Sequence, residues 1–108
     1  MLSKEAEELK GHLDALILAT LAARPNHGYA IIEQLKLRSH GHLQLPEGTV
    51  YPALHRLERD GLLASDWSKE SGRRRRVYRL TDRGTRELGE RRLRWRRFAA
   101  TIEAVLAV

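Results

Sequence analysis

The sequence predicts a mainly α fold carrying one small β-hairpin and closed by a long C-terminal helix. Three observations carry this. Leu9, Leu13, Leu16, Ile17 and Leu21 recur at helical spacing near the start, and Ile31, Ile32 and Leu35 do so again further on. A single alternating, glycine-interrupted stretch lies between Leu62 and Leu80. Beyond it, Leu88, Trp95 and Ile102 return every seventh residue, with Phe98 and Val105 at the complementary four-three positions.

The first helix is expected over residues 4–23, with Ser3 as its N-cap and Glu5, Glu7 and Glu8 complementing the positive end of the helix dipole. Leu9, Leu13, Leu16, Ile17, Thr20 and Leu21 share one face. Arg24-Pro25-Asn26 ends it, because proline disfavours helical geometry in the residue before it. His27-Gly28-Tyr29 opens a second helix that closes near residues 39–41. His42-Leu43-Gln44-Leu45 reads as a short linker or as one extended strand.

A third helix is expected over residues 46–60. Pro52 limits where it can begin, since a proline deep inside a helix loses a hydrogen bond and clashes with the preceding turn. The first turn should lie close to Gly48 and Thr49, and Gly61 suits the position just past the end. Residues 62–67 and 75–80 read as paired strands, with Val77 and Arg79 on one face of the second and Arg76, Tyr78 and Leu80 on the other. Polar residues 68–74 suit the tip. Thr81 then caps the final helix, with Asp82 in its first turn.

That last helix has more apolar stripe than so small a body can bury, its seam broken only by Arg91. A second copy of the chain is the economical cover, so a homodimer is expected. The alternative is packing of this helix against the first one within a single chain. The organisation that follows is a body over residues 1–81 and a dimerisation helix over residues 82–108.

Composition narrows the function. The 108 residues contain no cysteine, which excludes disulfides and cysteine-based metal sites. The longest apolar run, residues 13–23, is interrupted by Asp14 and Thr20 and lacks a signal-peptide cleavage pattern, so a cytoplasmic protein without a membrane span is expected. His12, His27, His40, His42 and His55 have no glutamate or cysteine partner at ligand spacing, and no metal or cofactor is expected. Neither a glycine-rich phosphate loop nor a nucleophile elbow is present, and an enzyme is not expected.

Charge points elsewhere. Residues 1–54 carry 5 Lys/Arg against 6 Asp/Glu and residues 55–108 carry 15 against 8, so the whole net charge of +6 comes from the second half. A basic half beside a near-neutral one fits a polyanion bound on one side. The third helix is two-faced. Val50, Leu54 and Leu57 turn to a core, while Thr49, Tyr51, His55, Arg56 and Arg59 turn outward with groups that suit phosphate oxygens and base edges. Gly72-Arg73-Arg74-Arg75-Arg76 follows in the hairpin, suited to phosphates or a minor groove. Strand alternation sends Arg73 and Arg75 one way and Arg74 and Arg76 the other. Such a helix followed by a basic hairpin is how a winged helix-turn-helix grips duplex DNA.

Leu16-Ile17-Leu18, His27-Gly28-Tyr29, Gly48-Thr49-Val50-Tyr51-Pro52-Ala53-Leu54, Leu57-Glu58-Arg59-Asp60-Gly61-Leu62 and the stretch from Gly72 through Tyr78-Arg79-Leu80-Thr81-Asp82-Arg83-Gly84 together resemble the PadR family of bacterial transcription regulators, in its compact subgroup with a single C-terminal helix. The resemblance spans residues 11–104. One departure is that Pro46-Glu47 stands where a serine commonly opens the third helix. The resemblance implies a winged helix-turn-helix that represses nearby promoters. It also implies a dimer held by the first and last helices, placing Leu9, Leu13, Leu16, Leu88, Trp95, Phe98, Ile102 and Val105 at the interface. Tyr51 would contact phosphate, and Thr49, His55 and Arg56 would lie near phosphates or base edges. Tyr29 would lie near the DNA backbone or support the recognition helix, and residues 73–76 would belong to the wing. Some family members stack planar ligands on an aromatic at the dimer centre, which makes Trp95 a candidate for a small aromatic effector. Two other readings stand beside repression: a ligand sensor with DNA release as its readout, and a winged helix that docks an acidic protein.

Overall fold

Proline, glycine and a few capping hydroxyls divide the chain into eight elements. The computed structural model describes residues 4–70 and 72–107. In order they are α1 (Lys4–Lys10), α2 (Leu13–Ala23), β1 (Asn26–His27), α3 (Gly28–Arg38), α4 (Glu47–Arg59), β2 (Leu63–Glu70), β3 (Arg73–Leu80) and α5 (Asp82–Leu106).

The expected first helix is two helices. Gly11, the weakest helix former after proline, sits at the break, and the His12 N–H turns back to the Leu9 carbonyl at 2.9 Å. Ser3, the expected cap, lies outside the described residues. At the other end the expectation holds. Arg24, ahead of Pro25, is extended at φ −173° and ψ 158°, which stops α2.

The sheet is three-stranded and antiparallel in the order β1-β3-β2. Its outer strand β1, two residues long, pairs Asn26 with Tyr78 and His27 with Val77. The hairpin is longer than the sequence predicts. Pairing runs from Leu63–Leu80 out to Glu70–Arg73, so most of the expected tip is strand and the connection is two residues. Residue 71 of that tip lies outside the described residues. The stretch 42–45 is irregular rather than a strand, although Leu43 and Leu45 are both buried.

Helix α4 begins after Pro46 and carries Pro52 inside. Pro52 cannot donate to the Gly48 carbonyl, and Gly48 is exposed, so water can take that bond. The helix ends in a Schellman motif. Leu62 N–H donates to the Leu57 carbonyl and Gly61 N–H to the Glu58 carbonyl, both at 3.0 Å, with Gly61 at φ +81°. Thr81 caps α5 by accepting from the Gly84 N–H at 3.0 Å, and its hydroxyl donates to the Gly61 carbonyl at 2.7 Å. One threonine thus joins the end of α4 to the start of α5.

Ile17, Leu18, Leu21, Ile31, Leu35, Val50, Leu54, Leu57, Leu63 and Tyr78 fill a single core. Leu13 and Leu88 also belong to it, so their side chains are spent inside the chain's own body, whereas Leu9 and Leu16 are only partly covered. Beyond Leu88 no side chain of α5 is buried. The radius of gyration is 15.1 Å, against about 13 Å for a compact chain of this length, because the helix projects.

Candidate nucleic-acid interface

The packing of α4 against α3 and the sheet places Tyr51 beside the first residue of α3. Gly28 has no side chain, so the Tyr51 ring lies flat against its backbone, where an added Cβ would be 2.6 Å from Cζ. Tyr78, from β3, is buried beneath. Burial first, and then the Glu58 carboxylate, push the Tyr78 phenol above its ordinary 10, with Arg76 opposing.

Around Tyr51 the start of α3, the outer face of α4 and the hairpin enclose a groove of about 580 Å³. Tyr29, Tyr51, His55, Arg73, Arg74, Arg75 and Arg76 all line it. Seven of the nine residues read from the sequence as a nucleic-acid face are therefore brought together. Thr49 and Arg56 are not among the lining residues. Arg56 pairs instead with Asp14, which fastens α4 to α2.

Three of the four arginines face as alternation requires. Arg74 lies 4.6 Å and Arg76 5.2 Å from the Trp67 ring centroid, so one face of the hairpin is an Arg-Trp-Arg stack. Arg75 faces the other way, its guanidinium 2.7 Å from His27 Nε2. His27 is itself the N-cap of α3, its Nδ1 accepting from the Ala30 N–H at 3.3 Å.

Arg76 is anchored to both α4 and β2. Its Nε donates to Ser65 Oγ at 2.7 Å, and that hydroxyl donates to Glu58 Oε2 at 2.6 Å. Arg76 itself reaches the same carboxylate oxygen at 3.8 Å. Glu58 is on α4, Ser65 on β2 and Arg76 on β3, so this chain of contacts sets the hairpin against the helix. Sequence reasoning missed Trp67, Glu58 and Ser65. The signal was present for Trp67: in the paired strands it stands directly opposite Arg76.

The groove suits anions. Phenol hydroxyls and guanidiniums donate, and among the described lining residues only Glu47 carries a negative charge. No three His, Cys, Asp or Glu side chains gather as a metal site among the described residues. No described helix is long and apolar enough to cross a membrane.

A compact helical body bearing a three-stranded sheet, with a basic hairpin beside an exposed helix, defines a winged-helix protein. The chain belongs to the PadR family of transcriptional regulators: residues 17–90 match the Transcriptional regulator PadR-like family. It is 46% identical over 76 residues to the transcriptional regulator Rv3488 of Mycobacterium tuberculosis, covering 70% of this chain and 68% of that one. A PadR family transcriptional regulator from Eggerthella lenta is 36% identical and superposes with a TM-score of 0.80 over 94% of this chain and 88% of its own. A transcriptional regulator from Clostridium thermocellum superposes at 0.84 with 26% identity, over 93% and 98% of the two chains.

Proposed function

We propose that the chain is a homodimeric repressor that reads a pseudo-palindromic operator in double-stranded DNA. The observation that carries this reading is the groove between α4 and the hairpin, where four arginines, two tyrosines and His55 converge. In this reading α4 enters the major groove, and His55 and Thr49 face base edges. Tyr29 and Tyr51 donate to phosphates at the groove's mouth. Arg73, Arg74 and Arg75 reach flanking phosphates or the minor groove, and Arg76 holds the hairpin at its angle. Arg56, braced by Asp14, offers its remaining N–H groups to the backbone.

Residues 1–81 form the DNA-binding unit and residues 82–108 the dimerisation helix. Support for the dimer comes from α5, where Trp95 is 51%, Phe98 56%, Ile102 42% and Val105 80% exposed. A contiguous apolar stripe of this kind marks an interface. Leu9 and Leu16 extend it from the N-terminal helices. Two-fold symmetry then calls for half-sites about one helical turn apart. Such a protein works in the bacterial cytoplasm, where the promoters are.

The test is to sequence genomic fragments retained by the purified protein at moderate salt. An inverted repeat enriched near promoters is expected. Fragments with no shared sequence would contradict the reading.

A second reading adds an effector to the first. On α5 the Trp95 ring meets His12 edge-on at 5.1 Å and Phe98 at 5.9 Å, an aromatic cluster open to solvent in the single chain. Planar aromatic compounds would stack there at the dimer seam. In a Trp67→Phe background such compounds should quench Trp95 fluorescence and release DNA. Quenching without any change in DNA affinity would remove the regulatory role.

A further inference from the structure

A second concavity lies away from the groove at the hairpin, and its lining differs in kind. It measures about 400 Å³ and lies among the C-terminal half of α2, the far end of α3 and the first half of α5. It shares no residue with the groove at the hairpin. The short side chains of Ala19, Ala22 and Ala23 are among its lining residues. Its rim carries Arg24, Arg38 and Arg92, with the amides of Gln34 and Asn26 beside them. No carboxylate lines it among the described residues.

We propose that this concavity binds a small, multiply charged oxyanion, bearing phosphate or carboxylate groups, which the three guanidiniums and the two amides grip together. Charge balance supports the assignment. Among the described residues no ion pair engages Arg24, Arg38 or Arg92; Arg59, Arg73, Arg74, Arg75, Arg83, Arg86, Arg96 and Arg97 share this, and what distinguishes the three is that they line one concavity. Glu87 takes both Arg91 and Arg94, while Arg92 lines the concavity. Arg38 is already held in place, its guanidinium donating to the Ala19 carbonyl at 3.2 Å.

The negative end of the α2 dipole accounts for part of this gathering of cations. It amounts to only about half an elementary charge, against three guanidiniums. The surplus is what a divalent or trivalent anion neutralises, and guanidiniums match its paired oxygens. The volume falls in the range of small-ligand sites, about 300–1,000 Å³. Because the walls belong to α2, α3 and α5, an occupant would tie the projecting helix to the body that carries α4.

The test needs no DNA, so its failure is separate from failure of the operator reading. Inorganic pyrophosphate and citrate are titrated calorimetrically into the full chain at constant ionic strength set with sodium chloride. Saturable binding at one site per chain is expected for at least one of the two, and which one binds separates phosphate from carboxylate recognition. The Arg24→Ala/Arg92→Ala variant should lose about tenfold or more in affinity. Ala22→Leu, which enlarges a lining side chain while keeping all three arginines, should weaken binding as well. Arg73→Ala/Arg75→Ala in the hairpin should leave it unchanged. Absence of saturable binding of both anions overturns the proposal, as does equal weakening by the hairpin variant, which would mean diffuse charge. A tenfold loss of duplex DNA affinity by Arg24→Ala/Arg92→Ala with no small anion present also overturns it, because the arginines would then be contacting DNA.

Discussion

Tyr51 lies so close to Gly28 that a Cβ there would be 2.6 Å from Tyr51 Cζ and 2.7 Å from its hydroxyl oxygen. The start of α3 and the exposed face of α4 are thereby held in a single arrangement, and the phenol hydroxyl is fixed at the edge of the groove. Gly28→Ala must move either the ring or the helix. Overpacking of this kind costs about 1–3 kcal/mol, which thermal denaturation would register as a lower Tm. Tyr51→Phe should leave Tm nearly unchanged and lower duplex affinity in an anisotropy titration, because it removes only the donor.

The Glu58–Ser65–Arg76 chain separates two roles within the arginine run. Ser65→Ala removes the hydroxyl that accepts from Arg76 and donates to Glu58. A loss of about 1 kcal/mol in stability is expected, together with weaker DNA binding as the hairpin loses its angle. Arg74→Ala should lower DNA affinity and reduce the salt slope by about one, with stability unchanged. Unequal effects on Tm from these two variants would distinguish bracing from phosphate contact.

The α5 stripe predicts how the proposed dimer would fail. Phe98→Asp or Ile102→Asp places a carboxylate in the seam without touching the body's core. Sedimentation velocity should show a monomer, while the far-ultraviolet dichroism of residues 4–88 is retained. A dimer persisting in both variants would place the interface elsewhere.

Alkaline pH tests the packing under the groove. Burial raises the Tyr78 phenol above its ordinary 10, so the folded state favours the protonated form. The unfolded chain then binds fewer protons once pH passes about 10, and stability must fall from there upward. Below that point the contribution is complete. Tyr78→Phe should flatten the decline of Tm above pH 10, and an unchanged slope would show that other groups cause it.

Much of this was legible in the sequence where the signal is local. Thr81 as a cap, Gly61 past the end of α4 and Pro25 as a stop each depend on one or two neighbouring residues. The two-faced pattern of α4 was readable for the same reason. What was not legible depends on partners distant in the chain. Strand β1 is too short to carry a period and exists because Tyr78 and Val77 pair with it. The hairpin runs past its apolar residues because the backbone ladder continues through polar positions, which no apolar alternation marks. The Arg56–Asp14 pair joins residues 42 apart, so an arginine that looks free on a helical wheel is fastened to α2. At Gly11 the apolar spacing continues unbroken across the break, so periodicity alone reads one helix where there are two.

In the proposed complex, paired copies of the α4-and-hairpin groove grip the phosphate backbone of duplex DNA. The most direct measurement is the dissociation constant of the purified protein for its retained fragment, taken between 50 and 200 mM salt. With about 6–10 phosphates neutralised, the account predicts a fall in affinity of roughly a thousandfold or more, linear in the logarithm of salt concentration. An affinity that changes only severalfold over that range would contradict it.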